Sequence, residues 1–197
     1  MRVLGAIIAG GQSRRMGQEK ALLMLEGVSL LERTLSRLRI QVDDVVLNAN
    51  GDPGRFAAAG LTVVADRIVT GTPLSGLHAA LAHGAAHGFE AVVTVPSDAP
   101  FLPLDLVARL LEAGAEKGAA IAFSGGHSHY LTGVWTTALA RPLEKLLVAR
   151  EVPRVQDFAA RVEAETVLWT DMPHDPFFNI NTPEDLVAAA AIVRGGT

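Results

Sequence analysis

Residues 10 to 20 read Gly10-Gly11-Gln12-Ser13-Arg14-Arg15-Met16-Gly17-Gln18-Glu19-Lys20, directly after the apolar run Val3–Ala9. Glycines let the backbone turn tightly and bring N–H groups against an anion. Two guanidinium groups and an ammonium add fixed and mobile positive charge. A strand that empties into such a loop is suited to cradling phosphate. The loop is not a Walker A motif, because no Gly-Lys-Ser/Thr closes it, and it is not the Gly-x-Gly-x-x-Gly dinucleotide fingerprint.

A second constellation is Val95-Pro96-Ser97-Asp98-Ala99-Pro100-Phe101-Leu102-Pro103. Asp98 leaves the apolar run Ala91–Val95 with prolines on either side to fix its backbone, and it lies several residues too early to cap the helix that follows. A carboxylate facing a basic phosphate loop suits a Mg²⁺ ion shared with phosphate oxygens. The third is Phe178-Asn179-Ile180-Asn181-Thr182-Pro183-Glu184-Asp185. Asparagines two apart in extended chain point the same way, so the amide oxygens of Asn179 and Asn181 can join a metal's ligands or meet a bound molecule. Asn48 and Asp66, at the ends of two further apolar runs, are candidate base and ribose contacts.

The histidines carry less. His83 and His87 stand four apart, but with no Glu beside the first and no third ligand they read as a solvated or packed pair. His127 and His129 flank a glycine turn, where they could meet a substrate, a choice their residue types leave open. Ser13 has no nucleophile-elbow or triad context.

These side chains need elements to position them. Strands are expected at Val3–Ala9, Asp44–Asn48, Leu61–Ala65 and Ala91–Val95, alternating with helices at Ser29–Arg39, Ser75–His87 and Pro103–Gly114, with Ser75 as a candidate N-cap. Apolar runs separated by amphipathic helices argue for a parallel sheet covered on both faces, with ligands at the carboxyl ends of its strands. The second half predicts strands at Ala119–Phe123 and Leu131–Trp135 around the turn Ser124-Gly125-Gly126-His127. A helix over Thr137–Val148, with Pro142 marking an early turn or a kink, is followed by a helix near Arg154–Val162 and a strand at Ala164–Trp169. A last helix is capped by Thr182 with Pro183 at its first position and Asp185 three residues after the cap.

Composition narrows the classes. The chain has 197 residues, 49% hydrophobic and 19% charged, with a formal net charge of −4. That is the profile of one ordinary globular domain over residues 1–197, without the basic field a nucleic-acid partner demands. There is no cysteine, hence no disulfide, thiolate metal site or cysteine nucleophile. The apolar start is too short for a signal peptide or a membrane span, so the expectation is a cytoplasmic protein.

Taken together, Ala9-Gly10-Gly11-Gln12-Ser13-Arg14-Arg15-Met16-Gly17 with Lys20-Ala21-Leu22-Leu23, Thr72-Pro73-Leu74-Ser75-Gly76, Pro96-Ser97-Asp98-Ala99-Pro100-Phe101 and Asn179-Ile180-Asn181-Thr182-Pro183 resemble the molybdenum cofactor guanylyltransferase family, in its motif order and over nearly the whole chain. The resemblance implies a Rossmann-like α/β nucleotidyltransferase fold with a mostly parallel central sheet. It implies transfer of GMP from GTP to molybdenum-molybdopterin with release of pyrophosphate. By the family pattern Ile8, Ala9, Gly10 and Gly11 line the GTP site, Lys20 contacts phosphate with Arg14 and Arg15 beside it, Asn48 and Asp66 hold the nucleoside, and Asp98 holds Mg²⁺. The expected partners are GTP, molybdenum-molybdopterin and the proteins that make molybdopterin and deliver the cofactor to molybdoenzymes, with the chain acting as a monomer. This chain departs from the family at Ser97 and Ala99, where Cys and Thr are common, and at His129-Tyr130-Leu131-Thr132, a loose version of a His-Pro-Thr segment. Two other readings are a molybdopterin cytidylyltransferase, whose loop usually begins Ala-Ala-Gly and whose late motif carries aspartates, and a non-catalytic GTP-binding module, which would have lost Lys20 or Asp98.

Overall fold

The computed structural model describes residues 1–9, 19–151 and 154–195. In chain order the strands and helices are β1 (Val3–Ile8), β2 (Met24–Leu25), β3 (Val28–Ser29), α1 (Leu30–Arg39), β4 (Asp44–Asn48), β5 (Thr62–Val64), α2 (Pro73–Ala86), β6 (Ala91–Pro96), α3 (Leu106–Ala113), β7 (Ala119–Ser124), β8 (His127–Thr136), α4 (Ala140–Val148), α5 (Val155–Arg161), β9 (Glu165–Leu168) and α6 (Pro183–Gly195). Short 3₁₀ turns at Lys20–Leu22, Pro53–Ala59 and Thr137–Leu139 join them.

A seven-stranded sheet runs in the order β5-β4-β1-β6-β8-β7-β9. The pairs β5–β4, β4–β1, β1–β6 and β7–β9 are parallel, and β8 is antiparallel to both of its neighbours. The expected mostly parallel sheet is therefore present. It carries one reversed strand because β7 and β8 form a hairpin around Gly125 and Gly126, at φ 52° and 80°. Two successive positive φ angles match the right-handed twist of the strands they join.

Strand alternation divides the core. Along β1, Val3 and Ile7 pack with Leu31, Leu35 and Leu38 of α1 and Leu106, Val107 and Leu110 of α3. Leu4, Ala6 and Ile8 face the other way, against Leu74, Leu77 and Leu81 of α2 and Leu143, Leu147 and Phe158 of α4 and α5. Both faces are covered, so β1 is buried along its whole length and its apolar run is continuous. A third cluster joins Leu25, Leu30 and Phe101 to Ile180 and Ala189, fixing the late segment and α6 against the sheet edge.

Some boundaries differ from the expectation. Ser75 does not cap α2; the helix begins at Pro73, whose missing N–H is no loss at a first helical position. The Ser75 hydroxyl instead accepts the Thr70 N–H at 2.9 Å and so fastens the loop before the helix. α3 starts at Leu106, later than Pro103, and the Asp105 carboxylate accepts the Trp169 indole N–H at 3.0 Å rather than capping the helix. Pro142 lies in the first turn of α4, where it costs no internal hydrogen bond. The helix opening at Thr182 forms as read: the Thr182 N–H donates to Asp185 Oδ2 at 2.8 Å and the Asp185 N–H to Thr182 Oγ1 at 3.1 Å. The β2–β3 hairpin was not expected.

Candidate nucleotide and metal site

The parallel strands β1, β4, β5 and β6 all end at one edge of the sheet, and β8, running the other way, begins there. This edge gathers Lys20, Asn48, Asp66, Asp98 and Asn181 among the residues singled out above. Backbone bonds hold it together across strands: the Ala9 N–H donates to Asn48 O at 2.9 Å and the Ser97 N–H to Ile8 O at 3.2 Å.

At its centre the Lys20 ammonium lies 3.2 Å from Asp98 Oδ2 and donates to Asn181 Oδ1 at 2.5 Å. Both charged side chains are 16% exposed. Burial pushes the Asp98 carboxyl above its ordinary range, and the neighbouring ammonium pulls it back only in part. Asp98 is thus a largely desolvated acid whose ionised form is favoured by a cation beside it. The Ile180 N–H donates to Asp98 O at 3.2 Å, tying the late segment to this loop. Asn179, one residue earlier, has a buried Oδ1 with no hydrogen-bond partner among the described residues.

A second cluster lies around Asp66. Asn48 is 1% exposed and donates through Nδ2 to Val64 O at 3.0 Å and to Asp66 Oδ1 at 2.9 Å. Asn50 Nδ2 donates to Asp66 Oδ2 at 2.7 Å and Asn50 Oδ1 accepts the Asp66 N–H at 2.9 Å. Sequence reading missed Asn50, although Asn48-Ala49-Asn50 has the same two-residue spacing as Asn179 and Asn181. Arg55 also donates to Asn50 O and pairs with Glu19 at 2.8 Å, linking this cluster to the chain entering Lys20.

Helix α2 comes close to Asn48. A Cβ on Gly76 would stand 2.3 Å from Asn48 Oδ1 and 3.0 Å from Ile8 Cγ2. That contact explains why the segment after Thr72-Pro73 needs glycine there.

Of the other expected site residues, Ile8 is buried as the last residue of β1 and Ala9 follows it at the edge. Gly10, Gly11, Arg14 and Arg15 lie outside the described residues. His83 and His87 stack ring on ring at 4.0 Å and His87 Nδ1 bonds to His83 O, the packed-pair reading. Among the described residues no group of three His, Asp, Glu or Cys is placed to hold a metal, and no helix is long and apolar enough to cross a membrane.

A polar edge at the carboxyl ends of parallel strands, with a lysine–aspartate pair at its centre and an aspartate at its side, has the layout of a nucleotidyltransferase. Residues 5–174 match the family model of the MobA-like NTP transferase domain. The chain belongs to that family. It is 45% identical over 193 residues to the molybdenum cofactor guanylyltransferase of Bradyrhizobium sp. (strain ORS 278), covering 95% of this chain and 91% of that one. Its fold is similar to that of molybdopterin-guanine dinucleotide biosynthesis protein A from Archaeoglobus fulgidus, with a TM-score of 0.76, 24% identity and coverage of 98% and 99% of the two chains. It is also similar, at a TM-score of 0.71, 17% identity and coverage of 96% and 98%, to a Mycobacterium tuberculosis H37Rv protein solved in complex with manganese.

Proposed function

We propose that this chain transfers GMP from GTP to the terminal phosphate of molybdenum-molybdopterin, forming the guanine dinucleotide cofactor and pyrophosphate. The observation that carries this reading is the meeting of Lys20, Asp98 and Asn181 at one sheet edge. The sequence likeness to guanylyltransferases over nearly the whole chain supports the choice of nucleotide and acceptor.

The acceptor phosphate is already an anion, so the reaction needs no strong general base. The obstacle is the approach of two anions at the α-phosphorus. Lys20 would leave Asp98 for the phosphates of the incoming nucleotide, and Arg14, Arg15 and the N–H groups of Gly10 and Gly11 would add donors on the leaving side. Asp66, held by Asn48 and Asn50, would receive the nucleoside; the amide hydrogens of Asn48 are turned to Val64 and Asp66, so Asn48 acts by fixing Asp66.

The donor set fits Mg²⁺. Asp98 supplies a hard carboxylate oxygen, the Asn181 amide oxygen meets the same ammonium, and Asn179 Oδ1, without a partner among the described residues, would be a further ligand. So few protein ligands suit an ion that completes its octahedron with water and phosphate oxygens. When bound, Mg²⁺ supplies charge neutralisation at the phosphates undergoing transfer. Residues 1–197 would act as one domain and a monomer in the cytoplasm, taking the acceptor from proteins that make molybdopterin and passing the product to those that load molybdoenzymes.

Pyrophosphate release from GTP and molybdenum-molybdopterin tests base, acceptor and activity together, with CTP in place of GTP as the control. Lys20→Ala and Asp98→Ala each lower turnover by at least about 100-fold, the scale for losing one preorganised electrostatic group. Near-normal turnover in either variant, or equal rates with CTP, would overturn the assignment.

A further inference from the structure

At the start of β8, outside the residues given roles above, a buried serine joins two titratable side chains. Ser124, the last residue of β7, has no exposed surface. Its Oγ lies 2.6 Å from Asp175 Oδ1 and 2.8 Å from His129 Nε2. Proton counting orders the chain of bonds. A hydroxyl has one proton and a carboxylate can only accept, so Ser124 donates to Asp175 and its oxygen accepts the Nε2–H of His129. Burial keeps the His129 imidazole less basic than usual, which favours the neutral ring, and the bond to Ser124 then calls for its proton on Nε2.

The same Asp175 oxygen accepts the Phe177 N–H at 2.9 Å. Phe177 is buried, with its ring centroid 4.8 Å from that of His129 and 5.3 Å from that of Trp169. The chain then runs through Phe178 and Asn179 to Ile180, whose N–H is held by Asp98 O, and to Asn181, whose Oδ1 is held by Lys20. Residues 175 to 181 therefore form a strap pinned at the β7–β8 hairpin on one side and at the Lys20–Asp98 pair on the other. Between the pins sits Asn179 Oδ1, buried and without a hydrogen-bond partner among the described residues. With no bond of its own among those residues, it takes its position from the anchors.

We propose that Ser124, His129 and Asp175 are positioning residues that hold the Asn179–Asn181 strap over Lys20 and Asp98. They act through the strap and touch no reacting atom. This rests on the nucleotidyltransferase reading for its kinetic consequence, although the strap's anchoring does not.

The test has three parts. In hydrogen exchange, Ser124→Ala and Asp175→Ala accelerate the Ile180 amide, whereas amides in the middle of β1 keep their wild-type protection. In Mn²⁺–GTP titrations and pyrophosphate assays both variants lose about tenfold or more in binding or turnover, as expected when a remote change misplaces a reacting group. Asp175→Asn, which keeps an acceptor for both the Phe177 N–H and the Ser124 hydroxyl, restores most of that loss. In an Asn179→Ala/Asn181→Ala background the Ser124→Ala substitution adds little, because both side chains that the anchor positions are gone. Unchanged Ile180 exchange, or losses that add fully to those of the Asn179→Ala/Asn181→Ala pair, would overturn the proposal. A wild-type protein that anchors its strap but releases no pyrophosphate would instead overturn the functional reading.

Discussion

Lys20 and Asp98 neutralise each other across 3.2 Å, and a divalent ion at that carboxylate must share it with an ammonium or displace it. Two cations within a few ångströms in a half-desolvated site repel by an amount on the order of 1 kcal/mol or more. Lys20→Met therefore binds Mn²⁺ without nucleotide more tightly than wild type at pH 8, by about tenfold. Below the raised Asp98 value the advantage shrinks, since the carboxyl then takes a proton and loses its hold on the ion. Paramagnetic titration with Mn²⁺ alone checks both, and weaker binding by Lys20→Met at pH 8 would show that the ammonium does not compete. Lys20 could be picked out in the sequence because it closes the glycine-rich basic loop after the first apolar run, and Asp98 because it leaves an apolar run between prolines that restrict the backbone. The contact of Lys20 with Asn181 could not be, because it spans 161 residues and depends on how the late segment folds back. Asn50 was not singled out, though its side chain supplies two of the bonds that hold Asp66.

At the scale of elements, α2 and β4 meet where Gly76 faces Asn48. Gly76→Ala puts a methyl group into the space of the Asn48 carbonyl oxygen, so the amide must turn and release Val64 or Asp66. The expected result is GTP binding weaker by about tenfold, equal to about 1.4 kcal/mol, while the thermal midpoint moves less than for a core truncation. Calorimetry with GTP and a melting curve separate the two effects; an unchanged affinity would mean that Asn48 and Asp66 do not serve the nucleotide. Strands β1, β4 and β6 were readable because burial on both faces leaves continuous apolar runs between glycine, proline and asparagine. The β2–β3 hairpin was not, because two-residue strands carry no periodicity; its only marks are Glu26 and Gly27, both at positive φ. Likewise the spacing around Ser75 suits a cap, but Pro73 starts the helix first.

For the whole molecule, buried histidines govern the response to acid. His78 on α2 is 2% exposed, its Nδ1 has no partner among the described residues, and burial lowers its basicity. His83 and His129 shift the same way, also chiefly through burial. The unfolded chain then binds protons more readily than the folded one. Stability is full above the ordinary histidine value of 6.5 and falls as pH drops through it. Each such histidine adds up to about 1.4 kcal/mol per pH unit to that slope. His78→Gln flattens the fall in urea midpoint between about pH 6.5 and 5, and an unchanged slope would show that His78 keeps its ordinary basicity when folded. The sheet's overall plan followed from the alternation of strand and helix patterns, and the turn at Ser124-Gly125-Gly126-His127 marked the β7–β8 hairpin, whereas the insertion of β8 between β6 and β7 depends on contacts far apart in the chain.

The bonds from Lys20 reach Asp98, 78 residues on, and Asn181, 161 residues on. During synthesis on a ribosome the basic loop emerges early and the carboxylate midway, but the amide that joins them comes near the end. A nascent chain can therefore complete most of the sheet and still lack a closed centre. On the proposed function this centre is completed last, so an unfinished chain would be poorly equipped to consume GTP, and a defect in the late segment would silence a protein that is otherwise largely built.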